Sequence, residues 1–279
     1  MLAFVTSLRH PQNSHDYAHV EDIFFTSLDS WIRQTDGRFR VIAVGNRRPR
    51  RELPACARFI EVDFPPPSSH AGPMTGIPAV LRDKGTKLAI GLLGARELTD
   101  LSHVMFTDAD DFVSKRLAHF TAQHPDHLGW TIVDGWRYHR GRRAVRQHRG
   151  DFYLQCGSSH IVRHDAYPDV DLPLSATQDE LYEAFGDRLE RWIGSHMYVQ
   201  ADLRLAPLPF PGALYSVGTG EAHSGNSMGS FGRPVSRALA EEFGVQATKR
   251  TPYGLVRATS PGREAFLHRL HRPINAWRR

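Results

Sequence analysis

Three aspartates, Asp108, Asp110 and Asp111, follow directly on the apolar run at 104–106. That run is short and does not alternate, which is typical of a strand buried on both faces. Acids at the carboxyl end of such a strand point into the crevice where open α/β sheets bind ligands. Asp108 and Asp110 share a face in extended chain, so they predict a site for Mg²⁺ or Mn²⁺ carrying a diphosphate. A turn whose acids cap the next helix would explain the same residues.

The elements before the aspartates alternate between strand and helix. The sequence predicts strands at 2–8, 39–44 and 59–62, helices at 20–34 and 86–98, and a long proline-rich loop at 64–83. This alternation is typical of a parallel sheet. After the aspartates we predict helices at 116–123, 189–199, 235–243 and 263–270, a helix capped by Ser175 or Thr177, and strands at 130–133, 136–138, 152–155, 159–162 and 203–208.

Composition places the chain among ordinary globular proteins. It has 279 residues, 41% of them hydrophobic, and a net charge of +5, which fits polyanionic partners without choosing between them. Two cysteines, Cys56 and Cys156, indicate a reducing compartment. The start of the chain lacks a signal-peptide pattern, and no apolar run reaches transmembrane length. We therefore expect a cytoplasmic protein, and leave open a peripheral contact with the inner face of the membrane.

The segment 106–111, Phe-Thr-Asp-Ala-Asp-Asp, resembles the Asp-x-Asp segment of GT-A fold glycosyltransferases, especially the family 2-like group. The resemblance implies an α/β fold of the GT-A type, with a Rossmann-like nucleotide-binding half and a mixed central sheet flanked by helices, plus a C-terminal extension. It covers about 1–225, which we divide into a nucleotide-sugar-binding half at 1–112 and an acceptor half at 113–225. Residues 226–279 would form a helical C-terminal extension.

The resemblance also implies an activity. A hexose would move, with inversion, from a nucleotide-diphosphate sugar to a hydroxyl of a glycan, a lipid-linked or a small-molecule acceptor. Mn²⁺ or Mg²⁺ would be held by Asp108, Asp110 and a late histidine, His223, in the stretch 220–226. Nucleic acid is not an expected partner, and the oligomeric state is left open.

The family's pattern carries over to residues that would line the nucleotide site. They are Thr6, Ser7, Arg9, Asp63, Lys87, Asp108 and Ala109. Strand-end polar groups, a turn cap and a solvated helix-start lysine would explain several of them equally well. Residues 155–160 would form the floor of the acceptor site, or else a β-bulge.

The catalytic base departs from the family's pattern, in which an acidic pair stands at a helix start. The nearest such pair is Asp179 and Glu180, about 70 residues after the Asp-x-Asp segment, whereas His196 stands at the more usual distance. We rank Glu180 and Asp179 ahead of His196. The two acids could instead serve the helix dipole, and His196 could be a half-buried structural residue.

Two other functions remain open from the residues alone. The stretch 137–149 carries six arginines and two histidines, so the chain could be a non-catalytic basic protein that binds nucleic acid or acidic glycan. Three aspartates beside a buried strand would repel phosphate and count against this reading. A nucleotidyltransferase would show a glycine-rich loop after the first strand, and residues 7–12 contain no glycine.

Overall fold

The structure, a computed structural model, describes residues 1–70, 76–221, 228 and 232–259. The strands are β1 (Leu2–Ser7), β2 (Phe39–Gly45), β3 (Ala57–Glu61), β4 (His103–Phe106), β5 (Phe112–Val113), β6 (Gly129–Thr131), β7 (Gly135–His139), β8 (Ala144–His148), β9 (His160–Arg163), β10 (Ala206–Pro207), β11 (Ala213–Val217) and β12 (Arg233–Pro234). The α-helices are α1 (Tyr17–Trp31), α2 (Ile77–Arg96), α3 (Leu117–Ala122), α4 (Gln178–Phe185), α5 (Val199–Leu203), α6 (Arg237–Phe243) and α7 (Pro252–Thr259).

The central sheet has seven strands in the order β10-β6-β9-β4-β1-β2-β3. β1 pairs in parallel with β2 and β4, and β9 runs antiparallel to β4 and β6, so the sheet is mixed. A second sheet has the order β12-β8-β7-β11-β5. The predicted fold class is confirmed: a parallel half precedes the aspartates, and helices flank a mixed sheet.

Alternation along β1 explains why helices cover both faces of the central sheet. Leu2 and Phe4 join one core cluster, with Phe24, Leu28 and Trp31 of α1, whereas Ala3 and Val5 join another, with Leu88 and Leu92 of α2. Successive side chains of a strand point to opposite faces. The first strand is therefore buried on both sides, as its unbroken apolar sequence predicts.

Several predicted elements differ from the structure. α2 begins at Ile77, nine residues before the predicted start at residue 86, because Pro78 stands in its first turn, where a helix tolerates proline. Residues 152–154 form a 3₁₀ helix, not a strand, since the chain turns there between β8 and β9. The segment Leu189–Gly194 is a π-helix that ends before α5.

The arginine-rich stretch forms the β7–β8 hairpin with a 3₁₀ turn at its tip. The predicted helix at 263–270 lies outside the described residues, and the proposed division at residues 112 and 225 stays a prediction. In the described ranges, no helix combines the length and apolar character that a membrane crossing requires.

Candidate functional site

The three aspartates lie at the carboxyl edge of the central sheet, where β4 ends beside β1. The backbone N–H of Thr107 still donates to Val5 (2.9 Å), and the chain then turns, with Asp111 N–H donating to the Asp108 carbonyl (3.0 Å). This turn carries Ala109 and Asp110 at its corner. The acids therefore stand in the crevice that the strand pattern predicts.

Asp111 is fully buried and fixes the geometry of the turn. Its Oδ2 accepts from Ser158 Oγ (2.7 Å) and Cys156 Sγ (3.2 Å), and its Oδ1 accepts from the backbone N–H of Ser216 (2.9 Å). Burial raises the pKa of this carboxyl well above its ordinary value. With both oxygens engaged, Asp111 anchors the other two aspartates.

Asp108 makes an ion pair with Lys84 of α2, at 2.5 Å between Nζ and Oδ1. Burial opposes ionisation of Asp108, but the Lys84 ammonium outweighs burial and lowers the pKa of Asp108. The backbone N–H of Asp108 donates to Ser158 Oγ (2.8 Å). A Cβ added at Gly157 would overlap the Asp108 carboxylate, so glycine there leaves room for the acid. Its place in the floor of an acceptor site stays a prediction.

Of the two partly exposed carboxyls of the site, that of Asp110 has the raised pKa. Burial, and then the neighbouring Asp108 charge, raise the pKa of Asp110 to about 7, against the opposing fields of Lys84 and Arg9. Arg9, at the end of β1, also pairs with Glu221 (3.1 Å). A carboxyl that ionises with such difficulty gains from an additional cation.

The donor set fits Mg²⁺ or Mn²⁺ held jointly with a phosphate ligand. Within the described ranges, no group of three or more His, Cys, Asp or Glu is placed to hold a metal ion. Mg²⁺, however, is usually bound through one or two carboxylates together with substrate phosphates, and Asp108 and Asp110 provide two hard oxygen donors. The third predicted ligand, His223, lies outside the described residues.

His196 reaches the site because two helices approach closely at glycines. A Cβ at Gly194 would come within 2.9 Å of the Leu81 carbonyl, and one at Gly85 within 3.3 Å of the Gly194 Cα. This contact between α2 and the π-helix brings the following His196 into the fields of Lys84 and Asp108. π-helical turns recur at functional sites.

A small cavity of about 20 Å³ lies behind Asp108, lined by Lys84, Gly157, His160 and His196 among others. Burial lowers the pKa of His160 to about 3 and that of His196 to about 4, so both rings are neutral at pH 7. The Nε2 atoms of both rings are buried without a hydrogen-bond partner in the described part of the chain. The cavity is large enough for one water molecule that would satisfy them.

The residues predicted to contact nucleotide fall into two groups. Ser7 is half-buried at the end of β1, Asp63 is exposed after β3, and the buried Thr6 Oγ1 finds no partner among the described residues. Lys87 is different: its fully buried Nζ donates to the Leu8 carbonyl (3.1 Å) and the Asp83 carboxylate (2.8 Å). It therefore connects α2 to the end of β1.

The predicted acidic pair lies at the start of α4. Glu180 forms a capping box with Thr177, accepting from its backbone N–H (2.7 Å), and Asp179 pairs with Arg82 while its side chain stays 91% exposed. The caps explain why acids stand there. A catalytic role for either residue stays a prediction.

Sequence reasoning missed several residues that build the site. Lys84 lies one helical turn before Lys87 and could have been found by extending the basic face of α2 toward its start. Trp31, whose Nε1 donates to the Asp111 carbonyl (2.9 Å), and Ser158, which joins Asp108 to Asp111, had no local signal. Both come from distant parts of the chain.

Comparisons with known proteins add little to this geometry. No protein family matches the sequence, and no curated protein matches it. The crystal structure of S. aureus TarS, a glycosyltransferase, is similar at a TM-score of 0.38 and 14% sequence identity over 77% of this chain. The match covers 36% of the TarS chain, so this chain spans about a third of its length.

Proposed function

We propose that the protein is a glycosyltransferase that moves a sugar from a nucleotide-diphosphate sugar to an acceptor hydroxyl. The observation that carries the proposal is the pair Asp108 and Asp110 at the carboxyl edge of the mixed sheet, with the cations Arg9 and Lys84 beside them. Carboxylates suit a divalent metal, and arginine and lysine suit the phosphate oxygens that such a metal carries.

Each charged group then has a task. Asp110 and Asp108 would hold Mg²⁺ or Mn²⁺ together with the donor's diphosphate, with His223 as a further candidate ligand. When bound, the metal would stabilise the charge of the departing diphosphate. Lys84 and Arg9 would neutralise the remaining phosphate oxygens, because each already lies in the field of Asp110.

The nucleoside would lie across the ends of β1 and β3. The half-buried Ser7 could hydrogen-bond it, and the exposed Asp63 could accept from its base or ribose. Thr6 is buried beside Ser7 with no hydroxyl partner among the described residues, so its contact with the nucleoside stays a prediction. Lys87 would act by fixing the backbone at Leu8, and Ala109 by keeping the turn between the two carboxylates small.

For the base we now favour His196 over Glu180 and Asp179. A general base must reach the proton it abstracts, and His196 lines the same cavity as Asp108, with a neutral Nε2 that has no hydrogen-bond partner among the described residues. Direct attack by the activated hydroxyl would invert the anomeric centre. The acceptor would be a glycan, a lipid-linked or a small molecule.

The second candidate function is non-catalytic binding of a polyanion through the β7–β8 hairpin, favoured by the basic residues at its tip. It requires nothing of the aspartates. Nucleotide binding that depends on the aspartates therefore separates the two functions.

The test is a thermal-shift titration with UDP, GDP and dTDP, each with and without Mn²⁺. We expect one nucleotide to raise the melting temperature in the presence of Mn²⁺, and the shift to vanish in Asp110→Asn. The matched control is Asp179→Asn, which removes a charge from an exposed surface acid. No shift with any nucleotide, or an equal shift in Asp110→Asn, would contradict the proposal.

A further inference from the structure

A cleft of about 500 Å³ lies between the tip of the β7–β8 hairpin and the segment 246–257. Basic side chains line it: Arg140, Arg142, Arg143, Lys249 and Arg257. No acidic residue of the described chain lines it. Its volume is that of a small-molecule site rather than of a crevice between surface side chains.

Four of the five cations of the cleft have no acidic partner within the described part of the chain. Arg140, Lys249 and Arg257 are exposed, Arg143 is half-buried, and none of the four makes an ion pair with a described residue. The sequence at 260–279 contains five arginines and one glutamate, so it adds more positive than negative charge. Like charges held together in this way favour an external anion.

Hydrogen bonds fix the walls of the cleft in advance. Arg142 is buried and donates to the carbonyls of Arg257 (3.4 Å) and Ala258 (3.3 Å), which ties the hairpin tip to α7. The Arg143 carbonyl accepts from Thr248 Oγ1 (2.5 Å) on the opposite wall. These contacts fix the backbone of the two walls and the Arg142 side chain before any ligand arrives, which reduces the entropy lost on binding.

The start of α7 also faces the cleft. Thr251 Oγ1 accepts from the backbone N–H of Gly254 (3.1 Å), and a Cβ at Gly254 would overlap the Lys249 carbonyl. The chain therefore folds tightly around Lys249. The N-terminal end of a helix carries a partial positive charge, which adds to that of the side chains.

We propose that this cleft is a second anion site, which binds a phosphate-bearing group and is separate from the diphosphate site at Asp108 and Asp110. Arginine forks bind phosphate through paired hydrogen bonds, and several of them around one cleft suit a group with more than one phosphate. The shared chemistry is phosphate, whether carried by a soluble molecule or by a lipid headgroup.

The two sites are joined by the segment that follows β11. Gly218 packs so closely against His139 that a Cβ would come within 2.9 Å of its ring, and Arg140 follows His139. Three residues after Gly218, Glu221 pairs with Arg9 at the carboxylate site. If the proposed function holds, on which this step rests, the cleft would take the phosphate of the acceptor.

The experiment measures binding of sodium tripolyphosphate by calorimetry in metal-free buffer. The cleft variant carries both Arg140→Gln and Arg257→Gln. The control variant carries both Arg146→Gln and Arg149→Gln, which removes the same charge from exposed residues outside the cleft. We expect the dissociation constant to rise at least about tenfold in the cleft variant and to change little in the control. Melting temperatures without ligand report that both fold.

A second arm measures sedimentation with phosphatidylcholine vesicles, with and without phosphatidylglycerol. If the cleft variant fails to bind the anionic vesicles and the control variant still binds them, a lipid headgroup is supported as the source of the phosphate. Three results would overturn the proposal. They are an equal loss of binding in both double variants, tighter binding of single-stranded RNA than of tripolyphosphate with an equal loss in both variants, and no binding of either tripolyphosphate or vesicles. If Asp110→Asn still binds tripolyphosphate and no nucleotide shifts the melting temperature of the unchanged protein, the cleft proposal is supported and the proposed function is refuted.

Discussion

The carboxylate site and the basic cleft are built in opposite ways. The carboxylate site stands at the end of a buried strand, and the fully buried Asp111 at its base has hydrogen-bond donors from three other parts of the chain. The basic cleft stands on a hairpin tip and a short helix, and its exposed arginines have no ion-pair partners in the described residues. The first site is held in one geometry by internal hydrogen bonds, whereas the second is exposed and carries positive charge without acidic partners among the described residues.

The two kinds of construction suit different tasks. Preorganised groups on rigid elements hold a reacting group in one geometry, as chemistry requires. Exposed like charges attract an anion over a distance and hold it with less geometric demand, as recruitment requires. The carboxylate site should therefore be sensitive to small changes of shape, and the cleft to changes of charge.

The largest expected effect is on stability, at the base of the carboxylate site. Asp111→Ala leaves the backbone N–H of Ser216 and the hydroxyl of Ser158 without their acceptor, and should lower the free energy of unfolding by about 3 kcal/mol. Urea denaturation measures it. In the cleft, Arg257→Gln should change the same quantity by no more than about 0.5 kcal/mol. Equal losses in the two variants would erase the contrast between a rigid and an open site.

A smaller effect is expected on nucleotide affinity. Gly157→Ala forces the Asp108 carboxylate to move, since the added methyl group would overlap it, and should weaken nucleotide binding about tenfold. Gly37→Ala is the matched control, because an added Cβ there has no atom within 4 Å. The titration with the nucleotide that binds best measures both. Unchanged affinity in Gly157→Ala would mean that the site tolerates displacement of Asp108.

The smallest expected effect is on the free energy of unfolding, and it comes from the backbone conformation at Arg143 in the cleft. Arg143 has a left-handed backbone with φ of 49°, which glycine adopts without a steric penalty. Arg143→Gly should therefore raise the free energy of unfolding by about 0.5 kcal/mol while it weakens tripolyphosphate binding. Arg146→Gly, in the strand β8, should instead lower stability, because glycine weakens a strand. Loss of stability in both would show that the Arg143 side chain, not its charge alone, supports the hairpin.

Much of the fold could be predicted because its signals are local. The unbroken apolar run of β1 and the short run of β4 predicted buried strands, and the helical spacing around Phe24 and Leu28 predicted α1. Predictions failed where a local rule had two outcomes. Pro78 lies in a stretch that reads as a loop although the first turn of a helix accepts proline, and residues 152–154 are aromatic and aliphatic types that are also common in strands.

The position of the acids at the end of a buried strand in an α/β fold follows from the sequence alone, since strand periodicity and burial are properties of a few neighbouring residues. The environment of each acid, by contrast, depends on contacts with distant segments. Asp111 turns inward because Ser158 and Ser216, 47 and 105 residues away, supply its donors. Lys84, rather than Lys87, faces Asp108, and His196 joins them through the contact between two glycines. The environment of a charge depends on segments that only folding brings together.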